Sequence, residues 1–255
     1  MIHQKKIACF VEGQTEQMFV ERLFQEIAGY KNISIETYKF QGGKSNRLSK
    51  RLHCSKVPDA PFFVLLYDCG SDSHVVSDIT KQQISLTNNG YEKIIGLRDL
   101  YPKVLAQKDE IEKGIRGYLK PFQKKGIPIS VNLAVMEIEA WFLAEWHHFA
   151  KIDHRLIPDF ILQKCGFDLR NVNVEERPHP TEDLQRIYQL IGRNYDKSEE
   201  TSKEIINYLD YEFLYLDLIN SVKQLKNFID EIDSFLIIES GVKTPALKLK
   251  SSEED

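Results

Sequence analysis

The sequence predicts an α/β fold, in which a mostly parallel β-sheet is flanked by helices and followed by a C-terminal helical extension. Short apolar runs alternate with segments of helical periodicity up to about residue 145, and this order favours parallel strands joined by crossover helices. Several of the runs are apolar at nearly every position, as strands are when both faces of a sheet are covered. Only helical patterns follow, so we divide the chain into an α/β core, residues 1–145, and a helical extension packed on it, residues 146–255.

The first half of the core begins with a strand at residues 5–11. Apolar residues at helical spacing then predict a helix that ends at Gly29, because glycine is the usual residue just past a helix end. Residues 33–40 alternate between apolar and polar side chains and predict a second strand. The polar stretch after it predicts a helix over about residues 45–54. Residues 60–68 are the next apolar strand.

The second half of the core repeats the alternation. It consists of a helix at about 76–87, a strand at 91–99, a helix over 108–126 that Pro121 is expected to break, and a strand passing into a helix over 127–146. In the extension, Thr181 is the expected N-cap of a helix that ends at Gly192. Residues 201–236 are expected to form two more helices, and the charged tail at 248–255 to fray.

The composition narrows the class of protein. The chain has 255 residues, of which 42% are hydrophobic and 28% charged, as is ordinary for globular proteins. No apolar run reaches the length of about 18 residues that a membrane span needs, and the N-terminus lacks signal-peptide features. The 4 cysteines are widely spaced, which predicts a reduced, cytoplasmic protein without a structural zinc site. Because the net charge is −4, any binding of nucleic acid must be local.

Acidic residues follow the predicted strands. They are Glu12 and, one helical turn later, Glu16 after the first strand, Asp68 and Asp72 after the third, Asp99 after the fourth, and Glu137 with Glu139 at the fifth. Ligands of parallel α/β sheets bind beyond the carboxyl ends of the strands, so we expect these acids at one edge. Gathered carboxylates repel one another unless a cation lies between them, and oxygen ligands suit Mg²⁺ or Mn²⁺. The pattern is typical of metal-assisted phosphoryl chemistry.

Each acid also has a structural interpretation. Glu16 lies in the first turn of a helix, where the helix dipole favours any acid. Asp68 could form a turn with the glycine that follows, and Asp99 could pair with the arginine before it. Glu137 and Glu139 alternate along a strand, so only one of them faces the site if the strand continues through both.

A local basic patch lies between residues 39 and 58, where no acid occurs. Its members are Lys39, Lys44, Arg47, Lys50, Arg51 and Lys56. On the predicted helix Lys44, Arg47 and Arg51 share a face, and the glycines at positions 42 and 43 would let a phosphate approach the helix N-terminus. We therefore predict that Lys44, Arg47, Lys50 and Arg51 contact a nucleic-acid backbone. The alternative is a solvated helix face.

Three motifs in order carry a family resemblance. VEGQTE after the first strand, GGKSN after the second and an apolar strand ending in Asp together resemble the Toprim fold of topoisomerases, primases, recombination proteins and nucleases of the overcoming-lysogeny-defect (OLD) type. The Glu-Gly-x-Thr-Glu form, with the later EIEAWFLAE, HPTEDL and YDKS, is similar to a bacterial Toprim-like family met among mobile-element and phage-defence genes. The resemblance implies Mg²⁺ bound by Glu12 and a later Asp-x-Asp. This sequence has no Asp-x-Asp, and offers Asp68 and Asp72 four apart and a lone Asp99.

The acids and the resemblance together predict a Mg²⁺-dependent nuclease that hydrolyses a phosphodiester. Glu12 is expected to bind metal or act as the base, and Lys44 or Arg47 to meet the phosphate. The predicted metal ligands are Glu12, Glu16, Asp68, Asp72, Asp99 and Glu137. The alternative is a non-catalytic module that binds nucleic acid or a separately encoded ATPase, since the chain has no Gly-x-x-x-x-Gly-Lys-Ser/Thr motif of its own. Nucleotidyl transfer, as in primases, is a third interpretation.

Overall fold

The computed structural model describes residues 4–42, 47–124 and 126–237, and within them the chain forms one six-stranded sheet with helices on both faces. The strands are β1 (Lys5–Val11), β2 (Ile33–Gln41), β3 (Leu48–Ser55), β4 (Phe62–Asp68), β5 (Lys93–Asp99) and β6 (Ile129–Ala134). The helices are α1 (Gln14–Ala28), α2 (Asp72–Asn88), α3 (Lys108–Gln123), α4 (Glu139–Ala144), α5 (His147–Ile152), α6 (Pro158–Cys165), α7 (Pro180–Gln189), α8 (Glu199–Tyr208), α9 (Tyr211–Leu216) and α10 (Lys223–Phe235). This confirms the predicted α/β class.

The strand order is β3-β2-β4-β1-β5-β6, and every neighbouring pair is parallel except β2 with β3. The central strand β1 pairs with β4 on one side and β5 on the other. Val11, its last residue, lies opposite Asp68 of β4 and Leu97 of β5. Farther out, Asp99 of β5 lies opposite Ala134, the last residue of β6. The residues that follow β1, β5 and β6 therefore emerge next to one another at the same edge.

Alternate residues of the strands enter two different cores, as the period of 2 in a strand requires. On one face, Cys9 and Val11 pack in a continuous apolar cluster with α1 and with side chains of the C-terminal half, among them Trp141, Tyr188 and Phe228. The other face carries a smaller cluster, covered by α2 and α3. The helices after residue 145 thus share one core with β1 and α1.

Strand β3 corrects the helix predicted over residues 45–54. The residues of this stretch that the structure describes begin at Arg47, and from Leu48 they form β3, which runs antiparallel to β2 at the edge of the sheet. The first six residues of β3 are exposed. A polar pattern is typical of a solvated helix and also of an edge strand with both faces exposed to solvent, so periodicity alone could not distinguish the two. Pairing with β2 decides the outcome, since tertiary context readily overrides local propensity. The predicted shared helical face for Arg47 and Arg51 is therefore wrong, and Lys44 lies outside the described residues.

Pro121 does not break α3, which continues to Gln123. A proline inside a helix removes one hydrogen bond and crowds the carbonyl four residues earlier. That residue is Gly117 in the exposed last turns of the helix, where a displaced carbonyl can still be hydrated. The proline therefore costs one backbone hydrogen bond, close to the C-terminal end of the helix, where the last carbonyl groups lack helical partners in any case.

The helix starts also differ from the predictions. α2 begins at Asp72, four residues earlier than expected. The N-cap of α7 is His179 and not Thr181, because Pro180 occupies the first helical position, which its fixed φ favours. Between residues 199 and 237 three α-helices form instead of two, since Asp210 accepts a hydrogen bond from Phe213 N and starts α9. The tail predicted to fray lies outside the described residues.

No helix in the described ranges has both the length and the apolar character needed to cross a membrane. All 4 cysteines are described, and each is a free thiol.

Gly96 in β5 marks the closest approach of α2 to the sheet. A Cβ added there would lie 3.0 Å from Ile79 and Val131 and 3.3 Å from Val75. We expect Gly96→Ala to lower the free energy of unfolding by about 1–3 kcal/mol, because a close-packed interior does not absorb an added methyl group without strain.

Gly114 in the middle of α3 provides the matched control, because a Cβ there would meet nothing within 4 Å. Gly114→Ala is expected to raise the free energy of unfolding by about 1 kcal/mol through helix propensity. Urea unfolding of both variants measures the two effects. Equal and small effects of both substitutions would contradict the packing described at Gly96.

Candidate metal centre at the carboxyl edge of the sheet

Five carboxylates and one lysine converge beyond the ends of β1, β5 and β6. They are Glu12, Glu16, Asp99, Glu137, Glu139 and Lys197. Asp99, Glu137 and Glu139 each place one carboxylate oxygen within 4.8 Å of the others. The parallel sheet thus brings together residues that are far apart in sequence, as the strand-end rule predicted.

Asp99 is the last residue of β5, and it binds the two segments beside it. Its backbone N–H donates to Glu12 Oε2 over 3.1 Å, and its own Oδ1 accepts from Ile138 N over 3.0 Å. The first bond fixes Glu12 against β5, and the second fixes the turn that carries Glu137 and Glu139. Asp99 is therefore the structural centre of the cluster as well as one of its acids.

Both glutamates after β6 face the site, although on a continued strand only one of them would. β6 ends at Ala134, and Met136 then adopts φ 60, in the left-handed region that non-glycine residues seldom enter. The chain turns there and begins α4 at Glu139. Because the chain turns here, the two glutamates no longer point to opposite faces as they would on a strand. Glu137 and Glu139 therefore both reach Lys197.

Glu16 is buried in the first turn of α1, with only 5% of its surface exposed. A helix-dipole role alone would leave such an acid at the surface, where it is stabilised by water as well. Gly13, the N-cap, gives the side chain its room, because a Cβ at position 13 would lie 3.1 Å from Glu16 Oε2. The Glu-Gly-x-Thr-Glu sequence thus places two acids inward with a glycine between them.

The C-terminal half supplies the other partners of the cluster. Lys197 Nζ lies 3.1 Å from Glu137 Oε1 and 2.9 Å from Glu139 Oε2. The Tyr195 hydroxyl donates to Glu139 Oε1 over 2.9 Å, and Thr181 N donates to Glu137 Oε2 over 3.0 Å. Lys197 and Tyr195 were not among the predicted site residues, although both lie in the YDKS segment. The only signal was that segment's family resemblance.

One buried carboxylate oxygen of the cluster depends on Lys197. Glu139 is fully buried, and its Oε2 lies 2.9 Å from Lys197 Nζ, with no other donor for it among the described residues. A buried carboxylate oxygen without a partner is costly. Glu139 Oε2 therefore needs a cation, which Lys197 supplies in this structure.

Burial and mutual repulsion raise the pKa values of the acids. Burial raises the pKa of Glu16 to about 8, and the charges of Glu139 and Glu12 add to it. Asp99 has a pKa well above its usual range, first because it is buried and then because Glu16 and Glu139 lie near it. The pKa of Glu12 is raised as well, chiefly by burial. Without a further cation, the folded protein holds protons here that free carboxylates would release.

Lys197 responds in the opposite sense to its acidic surroundings. Burial alone would lower the pKa of its ammonium group, but the charges of Glu139, Asp99 and Glu137 more than offset this and raise the pKa. Lys197 therefore remains a cation, held by the acids and in turn holding them together.

Asp68 and Asp72 each form an ion pair with a basic side chain outside the cluster. Asp68 accepts from Gly70 N over 2.7 Å, the turn expected of this residue, and lies 3.0 Å from Lys39 Nζ. Asp72 opens α2 and accepts from Arg98 over 2.9 Å. Arg98 therefore pairs with Asp72 and leaves the neighbouring Asp99 to the cluster. The metal role predicted for Asp68 and Asp72 stays a prediction.

The basic residues predicted to bind nucleic acid separate into two kinds. Arg47 has only 6% of its side chain exposed and donates to Asp78 Oδ2 over 3.1 Å. It also donates to the carbonyl of Cys69, so it joins the start of β3 to the segment after β4. Lys50 and Arg51 are exposed on β3. Arg47 is thus built into the fold, whereas Lys50 and Arg51 remain accessible.

The raised pKa of Glu16 predicts a pH-dependent stability in the absence of metal. The carboxyl titrates near 4.5 when exposed and near 8 in the folded chain, so between these values unfolding releases a proton. The free energy of unfolding should therefore fall as pH rises from about 5 to 8. Urea unfolding in a chelator should show this fall, and Glu16→Gln should flatten it.

Glu110→Gln is the control, because this residue is exposed in the first turn of α3. It should keep the profile of the wild-type protein. If Glu16→Gln instead runs parallel to the wild-type profile over the whole range, Glu16 does not hold the proton.

Comparison with known proteins places the chain in one family. The profile described as "Domain of unknown function (DUF4276)" matches residues 11–214. No curated protein and no solved structure matches the chain. The matched region contains all five carboxylates of the cluster and Lys197, and it covers well over half of the 255 residues. The chain therefore belongs to the DUF4276 family of domains.

Proposed function

We propose that this protein is a divalent-metal-dependent nuclease that hydrolyses a phosphodiester of nucleic acid. The observation that carries the proposal is the cluster of five carboxylates at the carboxyl edge, with Lys197 as the cation in contact with it. The order of motifs that resembles Toprim nucleases supports the same chemistry, and with it a role in phage defence or a mobile element.

The residues of the cluster suit a hard divalent cation. Asp99, Glu137 and Glu139 offer only oxygen atoms, within 4.8 Å of one another, and oxygen ligands select Mg²⁺ or Mn²⁺ over softer metals. The buried Glu139 Oε2, whose partner among the described residues is Lys197, is an acceptor that such an ion would satisfy. These three acids would hold the ion, with Glu12 and Glu16 beside them.

A bound divalent ion would supply the electrostatic stabilisation that phosphoryl transfer requires. Glu12 suits the role of general base, since its pKa is raised and it is less buried than Glu16 or Asp99. As the oxygen of water bonds to phosphorus, Glu12 would take a proton of that water, the ester P–O bond would break, and the leaving oxygen would take a proton from solvent water. The hydrogen bond from Asp99 N holds Glu12 in place for this transfer.

Nucleic acid could approach across the sheet edge from β3. Lys50 lies opposite Lys39 in the antiparallel pair, and Arg51 lies opposite Tyr38. Three strand spacings, about 14 Å, separate β3 from β1 and Glu12. A polynucleotide backbone is long enough to reach both places at once. Lys44 is proposed to contact the phosphate as well, although this residue lies outside the described ranges.

Cleavage of plasmid, single-stranded DNA and transfer RNA with Mg²⁺ or Mn²⁺ tests the reaction. Glu12→Gln and Asp99→Asn should each lower the rate on the order of a thousandfold, because losing a base or a ligand costs several kcal/mol of barrier and about 1.4 kcal/mol is tenfold. Glu110→Gln, at an exposed position of α3 outside the cluster, should cleave as the wild type does.

The outcomes of this assay separate the alternatives. Cleavage that survives both substitutions would exclude the proposed site. Metal binding and nucleic-acid binding without cleavage of any substrate would favour the non-catalytic module, provided that a separately encoded ATPase has also been tested.

The two kinds of basic residue predict different mutant behaviour. Lys50→Ala with Arg51→Ala should weaken binding to all nucleic-acid sequences alike and reduce the salt slope by about one per lost phosphate contact. Arg47→Met should instead lower the free energy of unfolding by about 3 kcal/mol, because the buried Asp78 then keeps only the more distant Lys81, 3.7 Å away, as an ion-pair partner among the described residues.

Binding titrations at several salt concentrations and urea unfolding measure the two effects. Lys203→Ala with Lys223→Ala removes the same charge from exposed positions of the C-terminal half and is the matched control. If this pair weakens binding as much as the β3 pair does, the attraction is a matter of net charge and β3 is not the contact surface.

A further inference from the structure

We infer that Lys197 is a built-in cation that occupies the acidic site in the metal-free protein and leaves it when a divalent ion binds. The inference rests on the proposed metal site and assigns a regulatory role within it to this chain's own lysine. It follows from the position of the ammonium group, from the kind of contact it makes, and from the path by which it can leave.

The ammonium group occupies the place that the ion would need. Lys197 Nζ lies 3.1 Å from Glu137 Oε1 and 2.9 Å from Glu139 Oε2. Both glutamates belong to the group of three whose oxygens can reach one ion together. Two cations bound to the same pair of carboxylates would repel each other strongly in a buried site. The lysine and the ion therefore compete for one place.

The ammonium group of Lys197 contacts one of the two carboxylate oxygens of Glu139, with Nζ 2.9 Å from Oε2. The other oxygen, Oε1, has its own donor in the Tyr195 hydroxyl. A divalent ion would therefore replace the attraction that Lys197 provides without disturbing the hydrogen bond that positions Glu139.

Lys197 can leave without opening the core. Its side chain keeps 35% of its surface exposed, so water already reaches part of the side chain. The residue lies in the short connection before α8, held between Asp196 and the N-cap Ser198. A rotation about the flexible four-carbon side chain is enough to move the charge into solvent.

Mn²⁺ titration of neutral variants tests the competition. Lys197→Met and Lys197→Gln should bind Mn²⁺ at least tenfold more tightly than the wild type, measured by calorimetry at pH 8.5 to limit competition from protons. Lys93→Met is the matched control, because Lys93 is a partly buried lysine paired with Glu231 at the opposite end of the strands. Its Mn²⁺ affinity should equal that of the wild type.

Acetylation of the wild-type protein tests the displacement itself. An amine that is held between carboxylates reacts slowly with an acetylating reagent, so modification of Lys197, followed by mass spectrometry, should rise several-fold on adding Mg²⁺ relative to chelator. Modification of Lys93 in the same sample should not change, and this provides an internal reference.

The results distinguish the inference from the proposal beneath it. Unchanged or weaker Mn²⁺ binding in both Lys197 variants, or metal binding with no rise in Lys197 acetylation, would overturn the inference and leave the metal site intact. Absence of metal binding from the wild type and from both variants would remove the metal site, and the inference with it. Binding by the variants alone would mean that the lysine blocks the site completely, which supports the competition.

Discussion

The contact of Lys197 with Glu137 and Glu139 is the interaction on which the rest of the site depends. Carboxylates that the sheet buries at its carboxyl edge repel one another, and each ionised group loses hydration on burial. A single ammonium group reduces both costs, and it comes from the helical half of the chain. The acids of the core are thus completed by a residue that follows Glu137 by 60 positions, so the two halves share a charge balance as well as an apolar core.

Whether an element is covered by the core or exposed at the sheet edge explains which parts of the fold could be predicted from the sequence. β1, α1, β4 and β5 carry strong apolar periodicity because both faces of the sheet are covered, and the structure confirms them. β3 buries neither face along its first six residues, since it is an exposed edge strand, and its residues resemble a polar helix for that reason. Its assignment depends on hydrogen bonds with β2, which are long-range and leave no local pattern.

The candidate site divides in a similar way. The meeting of Glu12 with Asp99 follows from parallel strands alone, because strand ends that pair in register emerge side by side. The inward position of Glu139 beside Glu137 depends on the turn at Met136, which no alternation rule predicts. Lys197 and Tyr195 lie in a connection without periodicity, so their place in the site is known only once the helices have packed. Arg47 was predicted to contact nucleic acid because the sequence shows its charge but not its burial. The structure buries it in the fold.

The exposed edge strand β3 has a further consequence for the behaviour of the protein in concentrated solution. An edge strand offers unpaired backbone groups to any other strand, and charged side chains are a common protection against such pairing. Lys50 and Arg51 lie exposed on β3, so the charges proposed to attract a polyanion also oppose sheet-to-sheet aggregation. The same charged side chains of β3 thus affect both solubility and the affinity for a polyanion. A substitution that removes them to weaken binding also removes a barrier to self-association.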